Sequence, residues 1–109
     1  MKVVRFSRQA ESRLGEIALW TVNNFGVPQS RKYETELIAR INALANSEPP
    51  HGRPCDLLVK NIKNIQGLLY IRAGGHFIIY RELDESITII DFVHASRDLE
   101  AILGDLDVQ

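Results

Sequence analysis

Two histidines and two arginines in the C-terminal half of the chain are the residues whose types could do chemistry. A histidine side chain ordinarily titrates near neutrality, so His76 and His94 are candidate general acids or bases. Arg72 and Arg81 are cations close to them in sequence. General acid–base catalysis needs titratable groups of this kind, and a negatively charged substrate needs cations beside them. The four residues are therefore candidate catalytic or binding groups.

Each of these side chains also has a plainer interpretation. His94 ends a β-prone run, where it would bond the backbone or Asp98 and orient the chain that follows. His76 follows a Gly-Gly pair and would be an exposed turn residue. Arg81 would pair across a sheet with Glu82 or Asp91. Both interpretations stay open at the level of the sequence.

A short basic run precedes this region. Arg53, Lys60 and Lys63 would form either a phosphate-binding track or a solvated loop. The three histidines are far apart and lack the close spacing of metal ligands, so we expect no metal and no cofactor.

Composition limits the class of protein. The 109 residues are 45% hydrophobic and 25% charged, which predicts one globular domain over 1–109. No run approaches the roughly 20 apolar residues of a membrane span. The start has no apolar signal-peptide core and the cysteine count is one, so we expect a cytoplasmic protein.

The net charge of −1 hides two opposed parts. Residues 1–65 hold ten Lys/Arg and six Asp/Glu, a balance of +4, and residues 66–109 hold three and eight, a balance of −5. A generic polyanion binder would be basic. The part that carries both candidate histidines is the acidic one, which disfavours any activity that needs clustered cations there.

The elements that must position these residues follow from hydrophobic periodicity. Residues 3–6 predict a strand, Ser7 caps a first helix that Gly26 ends, and Pro28 opens a second that Pro49-Pro50 stops. The buried stripe of the first helix is predicted at Ala10, Leu14, Ile17, Ala18, Thr21 and Phe25. Residues 51–66 predict an irregular connection.

After residue 66 the hydrophobic residues recur at every second position, as in a β-strand. Strands are predicted at 68–72, 76–82 and 86–94, with the start of the first of them open within 56–72. In the last strand, strict alternation puts Ile87, Ile89 and Val93 on one face and Ile90, Phe92 and His94 on the other. Ser96 caps a short final helix. The order β-α-α-β-β-β-α predicts an α+β fold with an N-terminal helical hairpin packed on a small, mainly antiparallel sheet.

Five stretches in this order resemble the ParE branch of the ParE/RelE superfamily of type II toxins. They are residues 6–10 (FSRQA), 24–26 (NFG), 50–56 (PHGRPCD), 75–81 (GHFIIYR) and 93–99 (VHASRDL). The resemblance covers almost the whole chain. It implies the RelE/ParE-like fold and a toxin that inhibits growth, is associated with plasmid stabilisation and is neutralised by a cognate antitoxin.

The resemblance implies two targets for such a toxin. ParE-like toxins are associated with inhibition of DNA gyrase, whereas RelE-like relatives are ribosome-dependent mRNA endonucleases. RelE-like enzymes carry a late tyrosine and an arginine beside the central turn. In this chain the last tyrosine is Tyr80, and Phe77 stands beside the turn. Gyrase inhibition by protein–protein binding is therefore favoured. The first alternative is a RelE-like nuclease, whose candidate catalytic residues would be His94, His76, Arg72 and Arg81. The second alternative is a detoxified relative that only binds an antitoxin.

Two sets of binding residues complete the sequence-based hypothesis. The candidates for target binding are cationic or titratable: Arg53, Arg81, His94 and Arg97. The candidates for antitoxin binding are apolar and lie away from the main helix stripes: Leu19, Trp20, Val22 and Ile38. The alternative for the apolar set is a broader core. With an antitoxin bound, we expect a toxin–antitoxin hetero-oligomer.

Overall fold

Two helices pack on one face of a five-stranded sheet. A computed structural model describes residues 1–55 and 67–96. In chain order the elements are β1 (Val3–Phe6), α1 (Arg8–Phe25), α2 (Val27–Ala45), β2 (Arg53–Pro54), β3 (Leu68–Ala73), β4 (His76–Glu82) and β5 (Ser86–His94). The α+β fold class is confirmed. The predicted final helix, and residues 56–66 of the connection, lie outside the described residues.

The sheet has the strand order β1-β5-β4-β3-β2. Strand β1 runs parallel to β5, with Val4 opposite Ile87, and the other neighbours are antiparallel. The neighbour of β1, which the sequence left open, is thus the last strand. Strand β2 was missed, because two residues within an irregular stretch are too few to show a period; its Arg53 lies opposite Tyr70.

Local chemistry fixes where the helices begin and end. Ser7 is the N-cap of α1, and its hydroxyl accepts from the backbone N–H of Ala10 at 3.0 Å. Gly26 separates the two helices with a φ of 91°, a conformation that favours glycine. Pro28 lies in the first turn of α2. The predicted helix boundaries at Ser7, Gly26 and Pro28 are confirmed.

The core lies between the helices and the sheet. It is formed by apolar side chains of both layers, among them Ala10, Ile17, Leu37, Ile41, Ile71, Ile78, Tyr80, Ile87, Ile89 and Phe92. Phe25 was predicted to be buried, and this is wrong, because it is 64% exposed. It is the last residue of α1, and its ring packs edge-on against Trp20 with centroids 5.8 Å apart.

A β-bulge changes the faces of β5. Ile79 lies opposite Asp91 and Tyr80 lies opposite Ile89, so Ile90 is an extra residue. Phe92 therefore joins Ile87 and Ile89 in the core cluster, while Ile90 and Val93 do not. The strict alternation expected from the sequence is wrong beyond this point. Within the described ranges, no helix is long and apolar enough to cross a membrane.

Candidate functional site

The two candidate histidines lie side by side at one end of the sheet. His76 begins β4 and His94 ends β5, and the antiparallel register places them directly opposite each other. Their ring centroids are 5.1 Å apart and the rings meet edge to face. The sequence indicated the two histidines as separate candidates, and the fold brings them into contact. The interpretation of His76 as an exposed turn residue is wrong, because it is half-buried.

A tyrosine of the second helix, which was not among the sequence-predicted candidates, completes the cluster. The hydroxyl of Tyr33, on α2, lies 2.6 Å from Nδ1 of His76 and accepts from the backbone N–H of Gly75 at 2.9 Å. Gly74 has a φ of 59°, and a Cβ there would come within 2.6 Å of the Tyr33 ring. The available sequence signal was a Gly-Gly turn followed by histidine, but only the tertiary fold brings Tyr33 to it.

The hydrogen bonds assign the ring proton of His94. The backbone N–H of Ser96 donates to Nδ1 of His94 at 3.1 Å, and Oγ of Ser96 lies 2.6 Å from the same atom. A backbone N–H can only donate, so Nδ1 is the acceptor and the neutral ring carries its proton on Nε2. The expectation that His94 bonds the backbone is confirmed; Asp98 lies outside the described residues.

The same reasoning applies to His76. Tyr33 has one hydroxyl hydrogen, with His76 Nδ1 at 2.6 Å and the carbonyl of Ala73 at 3.4 Å as its acceptors. A separation of 2.6 Å is typical of a bond donated by a hydroxyl and is shorter than the range of about 2.7–3.2 Å for a bond donated by N–H, so we assign Tyr33 as the donor to His76 Nδ1. The proton of a neutral His76 ring is therefore also on Nε2.

Burial keeps His76 and Tyr33 uncharged. Desolvation, with a smaller contribution from the neighbouring His94, lowers the pKa of His76 to about 4. Desolvation also raises the pKa of Tyr33, against the opposing effect of the Gly75 N–H. At neutral pH both side chains are neutral, so His76 is a weak base and a hydrogen-bond donor through Nε2.

A cavity of about 490 Å³ opens beside the cluster. The Tyr33, His76 and His94 side chains form its polar end. The remaining lining is mostly apolar and comes from α1 and the start of α2: Ile17, Trp20, Thr21, Phe25 and Gln29, with Gly75 at the turn. Trp20 and Phe25 are 58% and 64% exposed, so two aromatic rings stand at the surface of this cavity.

The candidate arginines do not meet at the histidine pair. Arg81 lies five residues along β4 from His76, a separation of about 17 Å at about 3.3 Å per residue. Arg72 lies opposite Phe77, on the face away from His76, and its Nε donates to the carbonyl of Gly74 at 3.1 Å. Arg53 is on the edge strand β2. Arg97, Lys60 and Lys63 lie outside the described residues.

The carboxylates offered as partners of Arg81 are engaged elsewhere. Glu82 forms an ion pair with Lys2 at 3.2 Å. Asp91 is 2% exposed and binds Arg13 at 3.3 Å and Gln9 at 2.7 Å, both on α1. The predicted pairing of Arg81 with Glu82 or Asp91 is therefore wrong.

The apolar candidates divide into two groups. Leu19 and Trp20 are exposed on α1, at 63% and 58%. Val22 is partly buried, and Ile38 is partly buried against the core cluster. Within the described ranges, no three His, Cys, Asp or Glu side chains come together as a metal site.

Solved structures of other bacterial proteins share this fold. The chain is similar to the chromosomal ParDE toxin–antitoxin system of P. aeruginosa, with a TM-score of 0.65, 18% identity, and coverage of 86% of this chain and 96% of that one. It is also similar to a copper-bound mutant toxin of Helicobacter pylori, with a TM-score of 0.59, 13% identity, and coverage of 88% and 97%. At these identities the likeness shows the fold alone.

Sequence comparison identifies the family within that fold. The family model of the ParE toxin of the type II toxin–antitoxin system parDE matches residues 4–99. Toxin ParE1 of Caulobacter vibrioides is 32% identical over 104 residues, which cover 95% of this chain and 100% of that protein. The chain belongs to the ParE family of type II toxins, and the predicted resemblance is confirmed.

Proposed function

We propose that this chain inhibits DNA gyrase by protein–protein binding and is neutralised by a cognate antitoxin with which it forms a hetero-oligomer. It acts in the cytoplasm as one domain over 1–109. Membership of the ParE family, over residues 4–99, is the observation that carries the proposal. The P. aeruginosa and H. pylori proteins are a toxin–antitoxin system and a toxin by their own descriptions.

The geometry of the charges supports binding over RNA cleavage. A nuclease of this kind needs cations where charge develops on the phosphate. Arg81 is at the other end of β4 from His76, and Arg72 is on the opposite face with its Nε on a backbone carbonyl. Protein binding needs complementarity over a surface and no such convergence.

The test follows growth, DNA supercoiling and mRNA integrity when the chain is expressed without an antitoxin. Purified gyrase is then assayed for supercoiling with the chain alone and with the chain plus its antitoxin. We expect lost supercoiling, intact mRNA and rescue by the antitoxin. Normal supercoiling with impaired growth would contradict the proposal, and unimpaired growth would favour a detoxified relative.

A matched pair of variants locates the gyrase-binding surface. Arg53 is exposed on the edge strand β2, and Arg31 is exposed on α2. Arg53→Glu is expected to raise the concentration needed for half-inhibition of gyrase about tenfold, because reversing a charge that contacts the partner weakens binding by roughly that much. Arg31→Glu makes the same charge change and is expected to leave that concentration within about twofold. Equal effects of the two variants would remove Arg53 from the interface.

One observation favours the nuclease as a second candidate function. The fold brings His76 and His94 into contact beside Tyr33, as an acid–base pair would require. Codon-positioned mRNA cuts that disappear in His94→Ala, with supercoiling unchanged, would establish this activity in place of gyrase inhibition.

A further inference from the structure

We propose that the cavity beside the histidine pair binds a carboxylate of a partner peptide. Nε2 of His76 and Nε2 of His94 each donate a hydrogen bond to this carboxylate. An adjacent aromatic or branched side chain of the peptide fills the apolar part of the cavity. This inference goes beyond gyrase inhibition and does not depend on it, because the binding is a property of the isolated chain.

The first support is the direction of the hydrogen bonds. The Nδ1 atoms of both histidines are occupied as acceptors, by Tyr33 on one side and by Ser96 on the other. Each ring is left with an Nε2–H donor. A position next to Gly75, where a Cβ would stand, is 3.9 Å from Nε2 of His94, so this atom is at the cavity lining. Two neighbouring donors match a carboxylate, which only accepts and has two oxygens.

The same assignment argues against a cation at this place. A metal on Nε2 of His94 would move the ring proton to Nδ1. There it would face the N–H of Ser96, and two donors would oppose each other. Among the described residues that line the cavity, none carries a carboxylate. The electrostatics therefore fit an anionic acceptor and not a positive ion.

The size and walls of the cavity define the rest of the ligand. A volume of about 490 Å³ far exceeds one carboxylate. The lining also includes the apolar side chains of Ile17, Trp20 and Phe25. The ligand must therefore place a large apolar group next to its charged end.

A peptide is the source that the surroundings favour. The cavity is open at the surface of α1, where its Trp20 and Phe25 side chains are 58% and 64% exposed. Close to them in sequence, Leu19 and Val27 are also exposed, at 63% and 48%. Exposed apolar groups of this kind mark protein interaction sites, and aromatic residues are enriched at protein interfaces.

The test uses a matched pair of probes on the isolated chain. N-acetyl-Phe-Asp-amide carries the carboxylate, and N-acetyl-Phe-Asn-amide is its neutral isostere. Calorimetry gives the Kd, and Trp20, the one tryptophan of the chain, reports occupancy by fluorescence. We expect the acidic probe to bind about tenfold more tightly than the neutral one, because hydrogen bonds to a charged group are stronger than hydrogen bonds to a neutral group.

The variants assign that preference to the histidines. His94 is exposed, so His94→Ala is expected to fold normally and to bring the two probes within about twofold of each other. His76→Gln repeats the test, with circular dichroism to verify folding. His51 is exposed, outside the cavity, and His51→Ala is the control that should keep the preference.

Three results would overturn the proposal. They are equal affinity for the two probes, no binding of either, and a preference that survives both His94→Ala and His76→Gln. Phenylacetate distinguishes the source of the carboxylate: if it binds and the acidic dipeptide does not, the occupant is not a peptide.

Discussion

The chemistry of the candidate site depends on how individual side chains are held. His76 is not simply a histidine in a turn: Tyr33 donates to its Nδ1, and partial burial removes water from it. The two effects fix its tautomer and keep it neutral, which suits a donor better than an acid–base catalyst. A general base is most effective when its pKa is near the working pH, and that of His76 is about 4.

The lowered pKa of His76 predicts that stability falls in mild acid. The unfolded chain takes up this proton near pH 6.5 and the folded chain near pH 4, so the unfolded state binds more protons in that window. After allowance for solvent screening at a half-buried group, the wild type should lose about 1 kcal/mol more between pH 7 and pH 5 than His76→Gln. Urea unfolding at the two pH values measures the difference. His51→Gln should behave as the wild type, and a His76→Gln variant with unchanged acid sensitivity would contradict the assignment.

Gly74 is the residue on which the turn and Tyr33 both depend. Gly74→Ala would place a methyl group in the left-handed region and within 2.6 Å of the Tyr33 ring. The expected loss is about 2 kcal/mol of the free energy of unfolding. Gly15 lies within α1, where an added methyl group would meet nothing within 4 Å, so Gly15→Ala should instead add about 0.5–1 kcal/mol. Thermal unfolding of the two variants measures whether each one is less or more stable than the wild type. A Gly74→Ala variant as stable as the wild type would contradict the turn geometry.

At the scale of elements, the bulge in β5 connects the sheet to α1. Ser7 donates from its hydroxyl to the carbonyl of Ile90, the extra residue of the bulge, at 2.7 Å. The next residue, Asp91, accepts from Gln9 and Arg13 on the first turns of the helix. These contacts hold α1 over the sheet, and the C-terminal end of the same helix supplies one wall of the cavity.

Asp91 is therefore expected to contribute more to stability than an exposed carboxylate that binds the same arginine. Asp91→Asn keeps the shape but loses charge-assisted bonds to Arg13 and Gln9, which should cost about 2 kcal/mol. Glu16 forms an exposed pair with Arg13 at 3.1 Å, and Glu16→Gln should cost no more than about 0.5 kcal/mol. Chemical denaturation compares the two. Equal losses would show that the buried contacts at the bulge do not anchor the helix.

The bulge also explains what the sequence could and could not predict. Periodicity and caps located both helices and four of the five described strands, because Ser7, Gly26, the short β-prone start and the period-two runs are local signals. The bulge at Ile90 leaves no local signal, since it arises from pairing with β4. For the same reason His76 and His94 were named as candidates without being paired, and Tyr33, 43 residues from His76, was missed.

At the scale of the whole molecule, the candidate binding residues occupy separate surfaces. The cavity and its histidines lie where β4 begins and β5 ends, Arg81 lies near the other end of β4, and Arg53 lies on the edge strand β2. The exposed rings of Trp20 and Phe25 belong to the helical layer. A toxin arranged in this way can present its arginines to one protein and its helical aromatic surface to another.

This separation predicts that antitoxin binding can be weakened without loss of folding. Trp20 is 58% exposed and contacts Phe25, so Trp20→Asp puts a charge into an aromatic surface but leaves the core intact. A central aromatic residue in an interface contributes about 2 kcal/mol or more, so the Kd for the cognate antitoxin should rise about thirtyfold, with the Tm within a few degrees of the wild type. Leu83 is a matched control, an apolar residue 54% exposed in the turn between β4 and β5, and Leu83→Asp should leave the Kd unchanged. Calorimetric titration of both variants with the antitoxin measures the two Kd values. Normal binding by folded Trp20→Asp would exclude this surface from the antitoxin interface, and failure of the variant to fold would show that Trp20 belongs to the core.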